Sequence, residues 1–72
     1  MSVRIICFGG DSVCENLNEL VEKLSGAYSG KYISIVTTQE SGLDKATQVT
    51  VDDSGGITYS HSGKAINPEV FF

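Results

Sequence analysis

The chain contains no tryptophan, one proline, one methionine and one histidine among its 72 residues. It has only two cysteines, and its apolar runs are short. A membrane-spanning helix needs about 20 apolar residues, so we expect no membrane association. The apolar run in the N-terminal segment MSVRIICFGG is also too short for a signal peptide. We therefore expect a cytoplasmic location.

Basic residues are scarce as well. Nine acidic residues against five basic ones give a net charge of −4. Nucleic-acid binding depends on a basic surface that releases counterions, so we predict no direct nucleic-acid partner. An acidic chain suits a basic protein partner, but acidity also keeps ordinary proteins soluble.

Few residues could support catalysis or bind a metal. A zinc site needs three or four ligands, and His61 with two separated cysteines does not give that spacing. The turn Phe8–Ser12 is placed where many proteins bind phosphate, but it lacks the glycine and lysine spacing of phosphate-binding loops, and Asp11 would repel an anion. We expect a non-enzymatic protein without catalytic residues, metal ligands or cofactors.

The first half of the chain predicts a strand, a helix and a second strand. Val3–Phe8 is apolar on both faces, which indicates a central strand. Ser12–Glu15 fits a capping box, and the following apolar residues recur at helical spacing, so we predict a helix over 13–25. Lys31–Thr38 is rich in β-branched residues and predicts a strand parallel to the first. The apolar stripe consists of Val13, Leu17, Leu20, Val21 and Leu24.

The second half predicts a hairpin. Its alternation keeps one face apolar only if the loop is three or five residues long. The predicted pairs are Val51 with Ile57, Val49 with Tyr59 and Thr47 with His61. We therefore predict a single α+β domain over residues 1–72 in β-α-β-β-β order. One amphipathic helix packs on one face of a three- to four-stranded mixed sheet.

Two features leave alternatives open. The terminal Phe71 and Phe72 either fold back over the sheet or form an interface, because apolar rings are costly to leave in water. Cys14 falls in the first turn of the predicted helix, where the dipole lowers a thiol pKa and raises its reactivity. The more ordinary interpretation of Cys7 and Cys14 is that both serve as small hydrophobic residues.

The acidic residues give the main functional hypothesis. Carboxylates along one helix face could imitate phosphates to a basic protein, or simply form a solvated surface. These residues are Asp11, Glu15, Glu19 and Glu22, with Asp52 and Asp53 at the hairpin tip. The leading hypothesis is a protein-binding module of adaptor or inhibitor type, such as a phage or mobile element encodes. It would bind through these carboxylates and the two terminal phenylalanines, and could block a nucleic-acid-binding surface of its partner. The alternatives are a thiol-redox or thiol-sensing protein that uses Cys14, and a self-associating protein that forms a homodimer.

Overall fold

The chain folds mainly as a sheet. The computed structural model describes residues 2–72, with 42% of the chain in strands and 18% in helices. The elements are β1 (Val3–Cys7), β2 (Gly10–Cys14), α1 (Leu17–Ser25), β3 (Tyr32–Thr38), β4 (Asp44–Val51), β5 (Ile57–Tyr59), β6 (Ala65–Ile66) and a 3-10 helix (Pro68–Phe71). The predicted mixed sheet of three or four strands in β-α-β-β-β order is wrong, because the sheet has six strands and every neighbouring pair is antiparallel.

The predicted start of the helix is wrong because residues 10–14 form a strand. β1 and β2 are joined by a two-residue turn at Phe8-Gly9, and Gly9 adopts φ +103°, which a residue with a side chain rarely does. Val13 therefore belongs to β2, although it continues the helical spacing of the leucines in α1. Asp11 likewise lies in β2 and is not at a helix N-terminus.

The helix begins with capping interactions about one turn later than predicted. Asn16 Oδ1 accepts a hydrogen bond from the Glu19 N–H (2.9 Å), and Glu19 Oε1 accepts one from the Glu15 N–H (2.8 Å). Asn16 is thus the cap in place of Ser12, and Glu19 accepts from the N–H of the residue before the cap, whereas in a capping box it would accept from the N–H of the cap itself. The Ser12 hydroxyl instead lies 2.7 Å from the Tyr28 hydroxyl.

The strand order explains why the parallel crossover was misplaced. The sheet runs β2-β1-β3-β4-β5-β6, so β1 is central as predicted, but it is antiparallel to both of its neighbours. β2 and β3 must therefore run in the same direction, with β1 between them. Helix α1 connects these two strands across β1. The crossover thus exists, but it begins at β2, which the sequence pattern did not reveal.

The hairpin of β4 and β5 has the predicted register. Val51 pairs with Ile57 and Val49 pairs with Tyr59 across a five-residue loop, 52–56. The predicted third pair with His61 is wrong, because β5 ends at Tyr59 and His61 lies exposed in the following turn.

The core lies between α1 and one face of the sheet. Leu20 and Leu24 of the helix pack with buried residues of all six strands. The C-terminal 3-10 helix contacts α1 and places Phe71 in this core with 7% of its surface exposed, whereas Phe72 is 38% exposed. Of the two predicted alternatives, folding back over the sheet or forming an interface, Phe71 therefore adopts the first.

Candidate functional site

No element in residues 2–72 covers the second face of the sheet, called here the outer face. Directly paired residues of an antiparallel sheet share a face, and the buried residues Val3 and Ile5 mark the face that packs on α1. The strand residues of the outer face are Arg4, Ile6, Asp11, Val13, Tyr32, Ser34, Val36, Thr38, Asp44, Ala46, Gln48, Thr50, Thr58 and Ala65.

One corner of the outer face holds a groove of about 400 Å³, called here the outer groove. Ile6, Ser34 and Gln48 line it, and they form one row across β1, β3 and β4. The Ser34 hydroxyl donates to Gln48 Oε1 (2.7 Å), which holds these polar side chains in place. Phe8 and Tyr32 also line the groove.

The aromatic rings of the outer groove are unusually accessible. Phe8 is fully exposed, Tyr32 is 77% exposed and Ile6 is 40% exposed. Single exposed apolar residues are ordinary on protein surfaces, but adjacent ones around a concave surface are typical of interaction sites. Tyrosine and phenylalanine are also enriched at protein interfaces. β1 is apolar on both faces as predicted, but only the face of Val3 and Ile5 is buried, and its second face is this exposed surface.

The outer face carries little net charge. Arg4 and Asp44 neutralise each other in an exposed ion pair of 3.2 Å. Asp11 is directly opposite Ile6 in the neighbouring strand, so its carboxylate lies beside the outer groove. The outer groove therefore combines aromatic rings, uncharged hydrogen-bonding groups and one nearby negative charge.

The six predicted acidic residues lie on different elements of the fold. Asp11 belongs to the outer face, whereas Glu15, Glu19 and Glu22 belong to the loop before α1 and to α1 itself. Glu19 is engaged in helix capping, and Glu22 is exposed on the helix. The six carboxylates therefore do not form one continuous ridge.

Asp52 and Asp53 lie in the loop between β4 and β5. Asp52 Oδ1 accepts hydrogen bonds from the Ser54 hydroxyl (2.8 Å), the Ser54 N–H (2.9 Å) and the Gly56 N–H (2.8 Å). These bonds, above all that from the Ser54 hydroxyl, lower the pKa of Asp52 below its ordinary value. Asp52 therefore organises its own loop.

The two thiols differ from the sequence prediction. Cys14 is fully buried at the end of β2, so the predicted place in the first turn of a helix is wrong. Burial raises the pKa of the Cys14 thiol, which is the opposite of the lowering that the helix dipole was expected to cause. Cys7 is half-buried and packs against the core. Both thiols are free, and within residues 2–72 no group of three metal-ligating side chains could hold a metal ion.

Sequence reasoning missed Ile6, Phe8 and Tyr32 as candidate site residues. Alternation in β1 correctly placed Ile6 and Phe8 on a face other than that of Val3 and Ile5, but did not indicate which face α1 covers.

No helix in the described chain is long and apolar enough to cross a membrane. In comparisons with known proteins, no family model, no curated protein and no solved structure significantly matches the chain.

Proposed function

We propose that this chain is a non-enzymatic protein-binding module that binds its partner through the outer groove. The observation that carries the proposal is the accessible apolar surface of Ile6, Phe8 and Tyr32 on a sheet face that the described chain leaves uncovered. Aromatic side chains that insert into a partner supply much of the binding energy of protein interfaces. The Ser34 and Gln48 side chains provide hydrogen-bonding groups beside these rings.

The partner is a protein whose contact surface carries basic and apolar side chains. The net charge of −4 favours a basic partner, and Asp11 beside the outer groove provides a local site for a cation. Binding should therefore weaken as the salt concentration rises.

The test combines capture of a partner from a host extract with measurements on the purified pair. Replacing Phe8 and Tyr32 together with serine should weaken binding by about 30-fold or more, since interface anchors contribute about 2 kcal/mol or more. The matched control is the double variant Leu43→Ser and Val70→Ser. It also removes two exposed apolar side chains (69% and 65% exposed), but neither lines the outer groove.

Isothermal titration calorimetry gives the affinities. Loss of affinity in the groove variant, with the control unchanged, supports the proposal. An unchanged groove variant overturns it. If Glu15→Gln with Glu22→Gln abolishes binding and the groove variant does not, the binding surface is the helix and the outer groove is not the site.

A further inference from the structure

The free edge of β2 has main-chain groups suited to pairing with another strand. β2 is one end of the sheet and has five residues, whereas the other end, β6, has two. A two-residue hairpin turn closes on a pair of residues that exchange both hydrogen bonds. Gly10, Ser12 and Cys14 therefore direct their N–H and C=O groups to β1. Asp11 and Val13 direct theirs toward the free edge.

Two contacts from α1 independently support this orientation. Lys23 Nζ donates to the carbonyl oxygen of Val13 (3.3 Å), which is accessible only if that carbonyl points away from β1. The N–H of Glu15, the next residue with the same orientation, donates to Glu19 Oε1 (2.8 Å). The helix thus covers the edge beyond Val13. The main-chain groups of Asp11 and the N–H of Val13 lie beyond these contacts.

We propose that the free edge of β2 binds an extended, basic segment of the partner protein, which adds one strand to the sheet. This inference rests on the proposed function and specifies how the partner is held. Strand addition at an exposed edge is a recurring mode of peptide recognition, in which main-chain hydrogen bonds provide the affinity and side chains the specificity. Side chains opposite Asp11 and Val13 would lie on the outer face, beside the outer groove.

The charges at this edge favour a basic segment over a second copy of the chain. Asp11, Glu15 and Glu19 border the edge, and Lys23 is the cation in contact with it. Two-fold pairing of two β2 strands about Ser12 would put Asp11 opposite Val13 of the second copy, and would add three more carboxylates to an edge that already carries three. Such an edge gains no cation opposite Asp11, whereas an arginine opposite Asp11 is favourable.

The probe is the synthetic peptide Ac-Thr-Val-Thr-Arg-Thr-NH2, with a glutamate version in place of arginine as control. In antiparallel pairing its arginine lies opposite Asp11 and its valine opposite Val13. Titration followed by two-dimensional amide NMR should shift the Asp11 and Val13 amides, with binding about fivefold tighter for the arginine probe. Equal binding of the two probes, or shifts confined to α1, would overturn the proposal.

Two variants test the pairing itself. Val13→Pro removes the N–H at the edge without removing a bond to β1 and should abolish probe binding, whereas Val13→Thr keeps the N–H and should retain it. If the proline variant fails to fold, Asp11→Lys still decides, because it should reverse the preference toward the glutamate probe. An unreversed preference contradicts the assigned contact.

The remaining outcomes separate this inference from the proposed function. Phe8→Ser with Tyr32→Ser should weaken binding of the whole partner far more than binding of the probe, because the probe is held mainly by main-chain pairing with β2. A probe that fails to bind, together with a partner that still depends on the outer groove, overturns only the strand addition. If the protein alone forms a dimer in sedimentation equilibrium that Val13→Pro abolishes and Val13→Thr preserves, the occupant is a second copy and the proposal is wrong.

Discussion

The two terminal phenylalanines provide a matched test of how this small domain is held together. Phe71 is 7% exposed and packs in the core beneath α1, whereas Phe72 is 38% exposed. Burying a phenylalanine contributes up to about 3 kcal/mol, and an enclosed cavity adds to the loss when the ring is removed. Phe71→Ala should therefore cost about 3–4 kcal/mol. Phe72→Ala should cost about 1 kcal/mol, because its site opens to solvent and leaves no cavity.

The loss at Phe71 is large for a chain of this size. Domains are stable by about 0.05–0.15 kcal/mol per residue, which gives roughly 4–11 kcal/mol here. Urea unfolding followed by circular dichroism should lower the midpoint of Phe71→Ala by about 3 M at a slope near 1 kcal/mol per M. Equal losses in the two variants, or no loss at Phe71, would refute the assignment of this residue to the core.

Three further predictions concern the loops and the buried thiol. Gly55→Ala should destabilise the fold roughly twice as much as Gly63→Ala in urea unfolding. Both need positive φ, but only at Gly55 would the new Cβ approach the helix backbone, at 2.8 Å. Asp52→Asn should flatten the acid limb of the stability–pH curve more than Asp53→Asn, because the lowered pKa of Asp52 gives stability that is lost as pH falls through its folded value. A limb that is flatter in Asp53→Asn than in Asp52→Asn would contradict this. The Cys14 thiol should react with alkylating reagents only on unfolding, and its raised pKa should make its stability contribution decline as pH rises above about 9, the ordinary thiol value. Rapid alkylation of Cys14 in the native protein at neutral pH would revive the thiol-sensor hypothesis.

The parts of the fold that local pattern could predict are those in which one face is clearly apolar. Val49 and Val51 alternate with polar residues, and they lie opposite Tyr59 and Ile57 only if the loop has an odd number of residues. The register of that hairpin was therefore determined by the pattern of burial alone. The leucines of α1 were also placed correctly, because apolar residues that recur at helical spacing over two turns strongly indicate a helix.

The second strand could not be predicted in the same way. Gly10–Cys14 contains glycine, aspartate and serine, which are uncommon in strands, and it is held by pairing with β1. Val13 also fits the helical spacing of the residues that follow, so the pattern favoured an early helix start. Strand pairing is a nonlocal interaction, and here it overrides the local preference. The error in strand direction follows from that omission, and the short strand β6 is the second strand that the prediction lacked.

The candidate site was missed for a related reason. Sequence alternation assigned Ile6 to one face of β1 and Ile5 to the other, and both residues are equally apolar. Which face is covered depends on the side on which α1 crosses β1, and that depends on the unpredicted β2. The surface available for binding is thus a consequence of topology. Composition alone directed attention to the carboxylates instead.

The exposed aromatic residues of the outer groove are difficult to explain as contributions to folding. Phe8 is fully exposed, so its ring gains almost no hydrophobic stabilisation from this chain. The turn in which it lies gets its positive φ from Gly9, and the pairing of β1 with β2 is made by main-chain groups on either side. The ring therefore contributes little to the free energy of folding, and its apolar surface is available for contact with another molecule. Replacing Phe8 with serine should leave the midpoint of urea unfolding unchanged while lowering the affinity for the partner. A lowered midpoint would show that the ring stabilises the fold.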